Sequence, residues 1–286
     1  MVECFNTYKI IDKKILGENL KQIEVSAPLV AKHAQPGQFV IVMVDEKGER
    51  IPITIADYDR QKGTITLIFL EIGKTTKKLG SLDVGDTLYS FCGPLGKPSA
   101  IKNYGNVICI GGGVGVASLY PIVRALKEKR NRVISILGAR SKHLLIMEDE
   151  IDRYSDELII TTDDGSKGKR GFVSDALRDL LERNEKIDMV MAVGPILMMK
   201  AICDITRPYK IKTLVNLNPI MLCGMGMCGC CRVIVGGEVK FACVDGPEFD
   251  GHEVDFDTLC KRNQSFVEEE GVALKKYLQE AWQVEV

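Results

Sequence analysis

Five of the ten cysteines in this 286-residue chain crowd between positions 223 and 243. No other feature restricts the fold as strongly, because thiolates gathered on a metal fix the path of the chain around it. Cys223, Cys228, Cys231 and Cys243 follow C-x4-C-x2-C-x11-C. The first two spacings, joining the first three cysteines, are those of a loop that wraps a [2Fe–2S] cluster. Gly224, Gly226 and Gly229 lie between the cysteines, where they can take positive φ and leave backbone N–H groups facing sulfur. The fourth cysteine comes after a hairpin turn at Gly236-Gly237. A structural zinc site is the alternative, but zinc sites usually present two short C-x2-4-C pairs, whereas here three cysteines share one loop and one is remote. Cys230 reads as a small residue packed beside the loop, with its exchange for Cys231 as ligand the alternative. Cys4, Cys92, Cys109, Cys203 and Cys260 are scattered singly, as buried thiols commonly are.

The rest of the chain changes pattern twice. From about residue 5 to 98, KIIDKKIL, LKQIEVSA, GQFVIVMV, RIPITIAD, GTITLIFL and DTLYSFCG read as six short strands bounded by Gly, Pro and Asp. Six strands at that spacing predict a small antiparallel barrel. From Asn106, strands NVICIGG, RVISILGAR, ELIITTDDG and DMVMAVGP alternate with helical segments, among them HLLIMEDEIDRY, FVSDALRDLLER and LMMKAICDIT. That alternation predicts a parallel sheet with crossover helices. The fold class is therefore β-barrel plus α/β, with a barrel over 1–98, an α/β domain over 99–215, a cysteine segment over 216–250 and a helical tail over 251–286.

Gly111-Gly112-Gly113-Val114-Gly115 follows a strand and opens a helix, the setting in which a pyrophosphate sits on a helix N-terminus. It departs from G-x-G-x-x-G, and close packing of strand on helix is the competing explanation. Three further strand ends strengthen the binding reading: Gly138-Ala139-Arg140, Asp163-Asp164 and Gly194-Pro195. Ligands bind outside the carboxyl ends of parallel strands. By itself Gly73-Lys74-Thr75-Thr76 reads as a turn, since it lacks the spacing of a P-loop.

A net charge of -1 supplies no field to attract nucleic acid. No apolar run approaches the ~20 residues that span a bilayer, and no apolar stretch follows a basic start. These features predict a cytoplasmic protein with no nucleic-acid or membrane partner. His33, His143 and His252 have no mutual spacing suited to a metal.

Taken together, RIPITIAD, IGKTTKKL, GPLG, CIGGGVGVASLYPI, LGARS, TTDDGS, AVGPILMMK, CGMGMCGCC and ACVDGPEF resemble the ferredoxin–NADP reductase superfamily. Within it the chain is similar to the electron-transfer subunits of dihydroorotate dehydrogenase and to the small subunits of NADH-dependent reduced ferredoxin:NADP oxidoreductases. The resemblance implies FAD, with Pro52, Ile53, Thr54 and Ile55 along the isoalloxazine, Phe69, Leu70 and Glu71 along the ribityl and ribose, and Gly73, Lys74, Thr75 and Thr76 at the pyrophosphate. It implies NAD(H), with NADP(H) as the alternative, at Gly112, Gly113, Val114, Gly115, Gly138, Ala139, Arg140, Asp163, Asp164, Gly194 and Pro195. It implies no side chain acting as catalytic acid or base. It implies a larger partner subunit carrying flavin and [4Fe–4S] clusters, ferredoxin reached through that complex, and electron bifurcation in part of the group. Two departures stand out: Ile51 precedes Pro52 where many relatives have Arg, and Cys223 stands where the ferredoxin:NADP small subunits have Asp.

Overall fold

Alternating apolar residues build the first layer. In the computed structural model, which describes residues 8–284, the barrel strands are β1 (Tyr8–Gly17), β2 (Leu20–Ser26), β3 (Phe39–Met43), β4 (Arg50–Asp59), β5 (Thr64–Leu70), β6 (Thr87–Leu88) and β7 (Ser90–Leu95). Helix α1 (Pro28–His33) follows β2, and α2 (Lys74–Ser81) follows β5. The antiparallel order is β6-β1-β2-β5-β4-β3-β7. Its two edges belong to one stretch of chain: residues 87–88 pair with β1, and residues 90–95 pair with β3. The predicted sixth strand is thus split at Tyr89, and the split nearly closes the barrel. Ile23, Val25, Val40, Val42, Ile53, Ile55, Ile65, Leu67 and Phe69 fill the interior, as strand alternation requires.

The second layer is doubly wound. It comprises β8 (Asn106–Gly112), α3 (Gly115–Glu128), β9 (Arg132–Ala139), α4 (Glu148–Asp152), β10 (Glu157–Thr162), β11 (Lys169–Arg170), α5 (Val173–Glu182), β12 (Met189–Val193), α6 (Ile196–Thr206) and β13 (Lys212–Asn216). The last segments are β14 (Arg232–Val235), β15 (Glu238–Phe241), β16 (Glu248–Asp250), α7 (Phe256–Asn263) and α8 (Val267–Val284). The sheet order is β11-β10-β9-β8-β12-β13-β16, parallel except for β16. Strand β8 is buried along nearly its whole length, as expected with helices on both faces. Helix α3 covers one face and α5 and α6 the other. The segment HLLIMEDEIDRY forms a short turn and then α4 rather than one helix, because Met147 at its N-cap adopts φ 54°. Strand β13 is a fifth long parallel strand that the sequence pattern had not separated from the cysteine segment.

The three parts share cores. Leu20, Ala56 and Ile68 on the barrel's outer face pack with Val116, Ala117 and Tyr120 of α3. Asp57 accepts an ion pair from Arg124 of α3 at 2.8 Å. Cys231, Val233 and Cys243 pack in one cluster with Phe39 and Ile41 of β3 and the face of the sheet under α5 and α6. Entry to the cysteine segment, β13, and exit from it, β16, are ladder neighbours, so the segment is clamped at its base. The ends of the chain at 1–7 and 285–286, Cys4 among them, lie outside the described residues.

Candidate functional site

The cysteine loop spans residues 217–231, between β13 and the β14–β15 hairpin. Gly224, Gly226 and Gly229 have φ of 72°, 76° and 68°, a region closed to most side chains. That backbone turns amide groups toward sulfur. Met225 N–H and Cys228 N–H each donate to Cys223 Sγ at 3.4 Å, and Gly226 N–H donates to Cys243 Sγ at 3.1 Å. Cys231 Sγ and Cys243 Sγ lie 3.2 Å apart. The Cys231 and Cys243 thiols are thus neighbours, while the Cys228 thiol meets both Cys223 and Cys230. The N–H groups of Cys228 and Met225 lower the Cys223 thiol to about 6, while burial raises Cys243. Cys228 is exposed, and Cys223, Cys231 and Cys243 are buried.

This donor set fits a two-iron cluster. Two irons divide four thiolates into two pairs, and N–H donors to sulfur tune such a centre. A zinc ion instead needs its ligands around one point at about 2.3 Å. Cys230 is half-buried beside the loop, and its carbonyl accepts from Arg262 of α7 at 3.1 Å.

The loop rests directly on the barrel. A Cβ at Gly224 would lie 2.6 Å from Leu95 and 2.8 Å from Ile41. Ile41 is the ladder partner of Pro52 on β4. Pleating divides the four expected flavin-strand residues: Ile53 and Ile55 point into the barrel core, while Pro52 and Thr54 are half-buried on its outer side. Phe69 is likewise buried inside the barrel, so Leu70 and Glu71 are the neighbours left with side chains outside. Contact with a ligand on the outer face would reach Ile53, Ile55 and Phe69 only through main chain.

Gly73 is the N-cap of α2, and Lys74, Thr75 and Thr76 form its first turn. The Thr76 hydroxyl accepts from Gly73 N–H at 3.0 Å, and the Thr75 hydroxyl donates to Glu49. The backbone N–H groups of that turn have no partners within the helix, which is what an anionic oxygen requires.

The nucleotide-side residues form a row. Register pairs Gly112 with Gly138, Ala139 with Thr162 and Gly111 with Val193. Gly113, Val114, Arg140, Asp163 and Gly194 therefore follow adjacent strand ends, and the chain reverses direction across the sheet between β8 and β12. The glycines divide by role. A Cβ at Gly115 would sit 2.5 Å from the Val193 carbonyl oxygen, one at Gly112 would strike Met198 and Pro195, one at Gly194 would meet Met198, and one at Gly138 would strike Val173. These four serve close packing. Gly113, at φ 54°, has open space where a Cβ would be, so it faces the row without a packing duty. Arg140 and Asp163 are exposed. The Asp164 carboxylate accepts from Ser166 N–H at 2.9 Å and Ser166 Oγ at 2.6 Å, and these hydrogen bonds hold it below the usual carboxylate range. It is engaged in its own turn.

Sequence reasoning missed three arginines. Arg50 Nε, Arg232 and Arg262 donate to the carbonyls of Leu222, Gly229 and Cys230 at 3.2, 2.9 and 3.1 Å. They come from the barrel, the hairpin and α7, so only the closeness of Arg232 to the loop was visible beforehand.

Comparison with known proteins agrees with this layout. Residues 218–255 match the iron-sulfur cluster binding domain of dihydroorotate dehydrogenase B, and residues 109–204 match the oxidoreductase NAD-binding domain. A dihydroorotate dehydrogenase B (NAD(+)) electron transfer subunit homolog of Thermotoga maritima is 48% identical over 277 residues, covering 97% of this chain and 98% of that protein. The dihydroorotate dehydrogenase B (NAD(+)) electron transfer subunit of Desulforamulus reducens is 33% identical, covering 86% of this chain and 98% of its own length. A solved chain of NADH-dependent reduced ferredoxin-NADP oxidoreductase superposes with a TM-score of 0.91 at 46% identity, covering 97% of this chain and all of that one. No helix among the described residues is long and apolar enough to cross a membrane. The chain belongs to the family of dihydroorotate dehydrogenase B electron transfer subunits and their homologues, iron–sulfur oxidoreductase subunits with an NAD-binding domain.

Proposed function

We propose that this chain is the electron-transfer subunit of a heteromeric NADH-dependent ferredoxin:NADP oxidoreductase, exchanging electrons between NADH and a larger partner subunit that carries flavin and [4Fe–4S] clusters. One observation carries the reading: Gly224, beside Cys223, touches Ile41, and Ile41 is paired with Pro52. Neighbouring strands are about 4.8 Å apart, so the cysteine loop and the strand expected under the flavin are separated by one strand spacing. The full-length likeness to the ferredoxin-NADP oxidoreductase chain supports the same conclusion.

In this reading residues 1–98 bind FAD, 99–215 bind NADH, 216–250 bind the [2Fe–2S] cluster and 251–286 form the helical tail. A flavin held there would supply hydride exchange with NADH and single-electron exchange with the cluster. Pro52 and Thr54 hold the isoalloxazine, the first turn of α2 from Gly73 to Thr76 holds the pyrophosphate, and Leu70 and Glu71 border the chain between them. Gly113 admits the dinucleotide to the strand-end row, and Arg140 and Asp163 border its adenosine end. Cys223, Cys228, Cys231 and Cys243 hold the irons, with Met225, Gly226 and Cys228 N–H groups fixing sulfur positions. No side chain here acts as acid or base; orientation is the protein's share of the work. The nine cysteines among the described residues are all free thiols, which suits a cytoplasmic setting.

A second reading is service to dihydroorotate oxidation, favoured by the Desulforamulus reducens relative. Anaerobic purification tests both. Flavin and iron–sulfur absorption, with about two irons per chain, supports either; zinc without flavin overturns both. Co-elution with a large flavin and [4Fe–4S] protein supports the first reading, and co-elution with an FMN-bearing barrel enzyme supports the second.

A further inference from the structure

Helix α3 begins at the glycine turn of the nucleotide domain and lies against the barrel. Along an unbroken strand, consecutive residues point to opposite faces. On β4 two consecutive residues both meet α3. Ala56 is buried in one cluster with Val116, Ala117 and Tyr120, and Asp57 bonds Arg124 of the same helix. The ladder between β4 and β5 slips by one residue between Ile55 and Asp57. A bulge of this kind re-aims a side chain, and here it follows directly on Pro52 and Thr54, the residues expected under the flavin.

We propose that Arg124 is a positioning residue for hydride transfer, holding the nucleotide turn and the flavin strand in register through its grip on Asp57; the inference rests on the electron-transfer reading above. The guanidinium is held from several sides. Its Nη2 is 2.8 Å from Asp57 Oδ1, and its charge lies 5.6 Å from the centre of the Tyr58 ring and 5.2 Å from that of Tyr120. Asp57 Oδ1 also accepts from the Tyr58 N–H at 2.8 Å, and Tyr58 carries Arg60 at 4.7 Å. Both partners of the ion pair are partly shielded from water, so it is stronger and more directional than a surface pair. The apolar contacts of α3 with Leu20, Ala56 and Ile68 resist separation but carry no direction. The Arg124–Asp57 bond supplies it. Arg124 stands about 13.5 Å along α3 from Gly115, and Asp57 about 10 Å along β4 from Thr54. The bond therefore joins the two arms that carry the sites and opposes rotation of one domain on the other. Hydride transfer needs reacting atoms about 3–3.5 Å apart, and a displacement of about 1 Å can cost about 100-fold in rate. NADH leaves as NAD+, the flavin gains the hydride's two electrons, and the proton that completes the reduced flavin comes from solvent.

The test mixes NADH rapidly and anaerobically with the full-length chain carrying FAD and cluster. Flavin bleaching gives the limiting rate of hydride transfer and, separately, the NADH affinity. Arg124→Met is expected to lower the limiting rate at least about tenfold, with the parent's NADH affinity and FAD content. It should also weaken the long-wavelength charge-transfer absorbance between NAD+ and reduced flavin. Arg124→Lys should recover part of the rate. Asp57→Asn should reproduce the loss, and the double variant should add nothing to it. A parent-like limiting rate in Arg124→Met with a lower unfolding midpoint overturns the inference, because the ion pair is then structural only. So does a loss confined to NADH affinity. If Arg124→Met does not fold, Asp57→Asn and Arg124→Lys decide the matter by the same measurements. A parent flavin that NADH does not bleach overturns the electron-transfer reading itself, before any variant is compared, which separates the two failures.

Discussion

Arg50 Nε donates to the carbonyl of Leu222 at 3.2 Å, joining the first residue of β4 to the residue just before Cys223. The strand expected to carry the flavin is thereby tied to the loop expected to carry the irons. A resemblance-based reading looks to an arginine at this strand for flavin contact. Here the guanidinium faces the cysteine loop instead, and Pro52 two residues on pairs with Ile41 behind that loop.

Removing this tie should loosen the loop without unfolding the barrel. A hydrogen bond to a charged group contributes about 1.5–3 kcal/mol when shielded and less when exposed. Arg50→Met is therefore expected to speed loss of the cluster to a chelator by about tenfold or less, with thermal unfolding of the parent barrel nearly unchanged. Arg50→Lys should recover part of the effect. The decay of visible absorbance after adding chelator measures it; a parent-like rate in Arg50→Met would show that the bond does not restrain the loop.

Cys230 and Cys231 are neighbours in sequence but not in role. Cys231 Sγ faces Cys243 Sγ and is buried, while Cys230 is half-buried and its main chain is held by Arg262. Cys230→Ser should keep about two irons and two sulfides per chain. Cys231→Ser should lower iron content or shift the electron paramagnetic resonance of the reduced cluster. The reverse pattern in these two variants would exchange the ligand assignment.

Much of this layout was legible beforehand, and the reasons are physical. Period-two alternation marked the six barrel segments, and cysteine spacing marked the loop, because both patterns are local. Alternation splits the strand expected under the flavin: Ile53 and Ile55 face the barrel core and Pro52 and Thr54 the outside, a division that the resemblance-based expectation for all four residues does not make. Helices α1 and α2 were not legible: each is short, and in α2 the buried positions Thr75, Leu79 and Gly80 form too brief a stripe to read as a period. The contacts of Arg50 and Arg262 with the loop join residues 172 and 32 positions apart, and nothing local encodes them. Nor could sequence separate the glycines of the turn. Gly113 and Gly115 look alike until the Val193 carbonyl is placed against one and open space beside the other.

That difference between glycines yields opposite expectations for two single-methyl changes. Gly115→Ala forces a Cβ to within 2.5 Å of the Val193 carbonyl oxygen, and overpacking of this kind costs about 1–3 kcal/mol. Its main effect should be a lower unfolding midpoint. Gly113→Ala meets no neighbour, so its structural cost is the left-handed backbone alone, about 1–2 kcal/mol. Its methyl projects beside the strand-end row, so NADH should bind at least about tenfold more weakly, or about 1.4 kcal/mol. Isothermal titration with NADH and thermal unfolding separate the two effects. Parent-like NADH affinity in Gly113→Ala would remove that residue from the nucleotide site.

Glu248 predicts how stability depends on pH. It lies on β16 opposite Asn216, and burial raises its carboxyl above the ordinary value of 4.5. The Ser99 hydroxyl and the Lys212 charge act in the opposite direction, and burial outweighs them; the Asn216 amide nitrogen beside Glu248 is buried without a hydrogen-bond partner among the described residues. A carboxyl with a raised value binds its proton more tightly folded than unfolded. The stability it lends is complete below 4.5 and is lost as pH rises through the raised value. Glu248→Gln has nearly the same shape and cannot ionise. Relative to the parent, it should gain stability steadily as pH rises past 4.5 and then level off. Asp45, Asp188 and Asp255 are held below the ordinary carboxylate range by hydrogen bonds, and they oppose this trend in both proteins alike. Their effect cancels in the difference between the two. Unfolding midpoints of parent and variant from about pH 4 to about pH 8 give the curve. A constant offset across that range would mean that Glu248 keeps the same proton affinity folded and unfolded, and that its burial carries no electrostatic penalty.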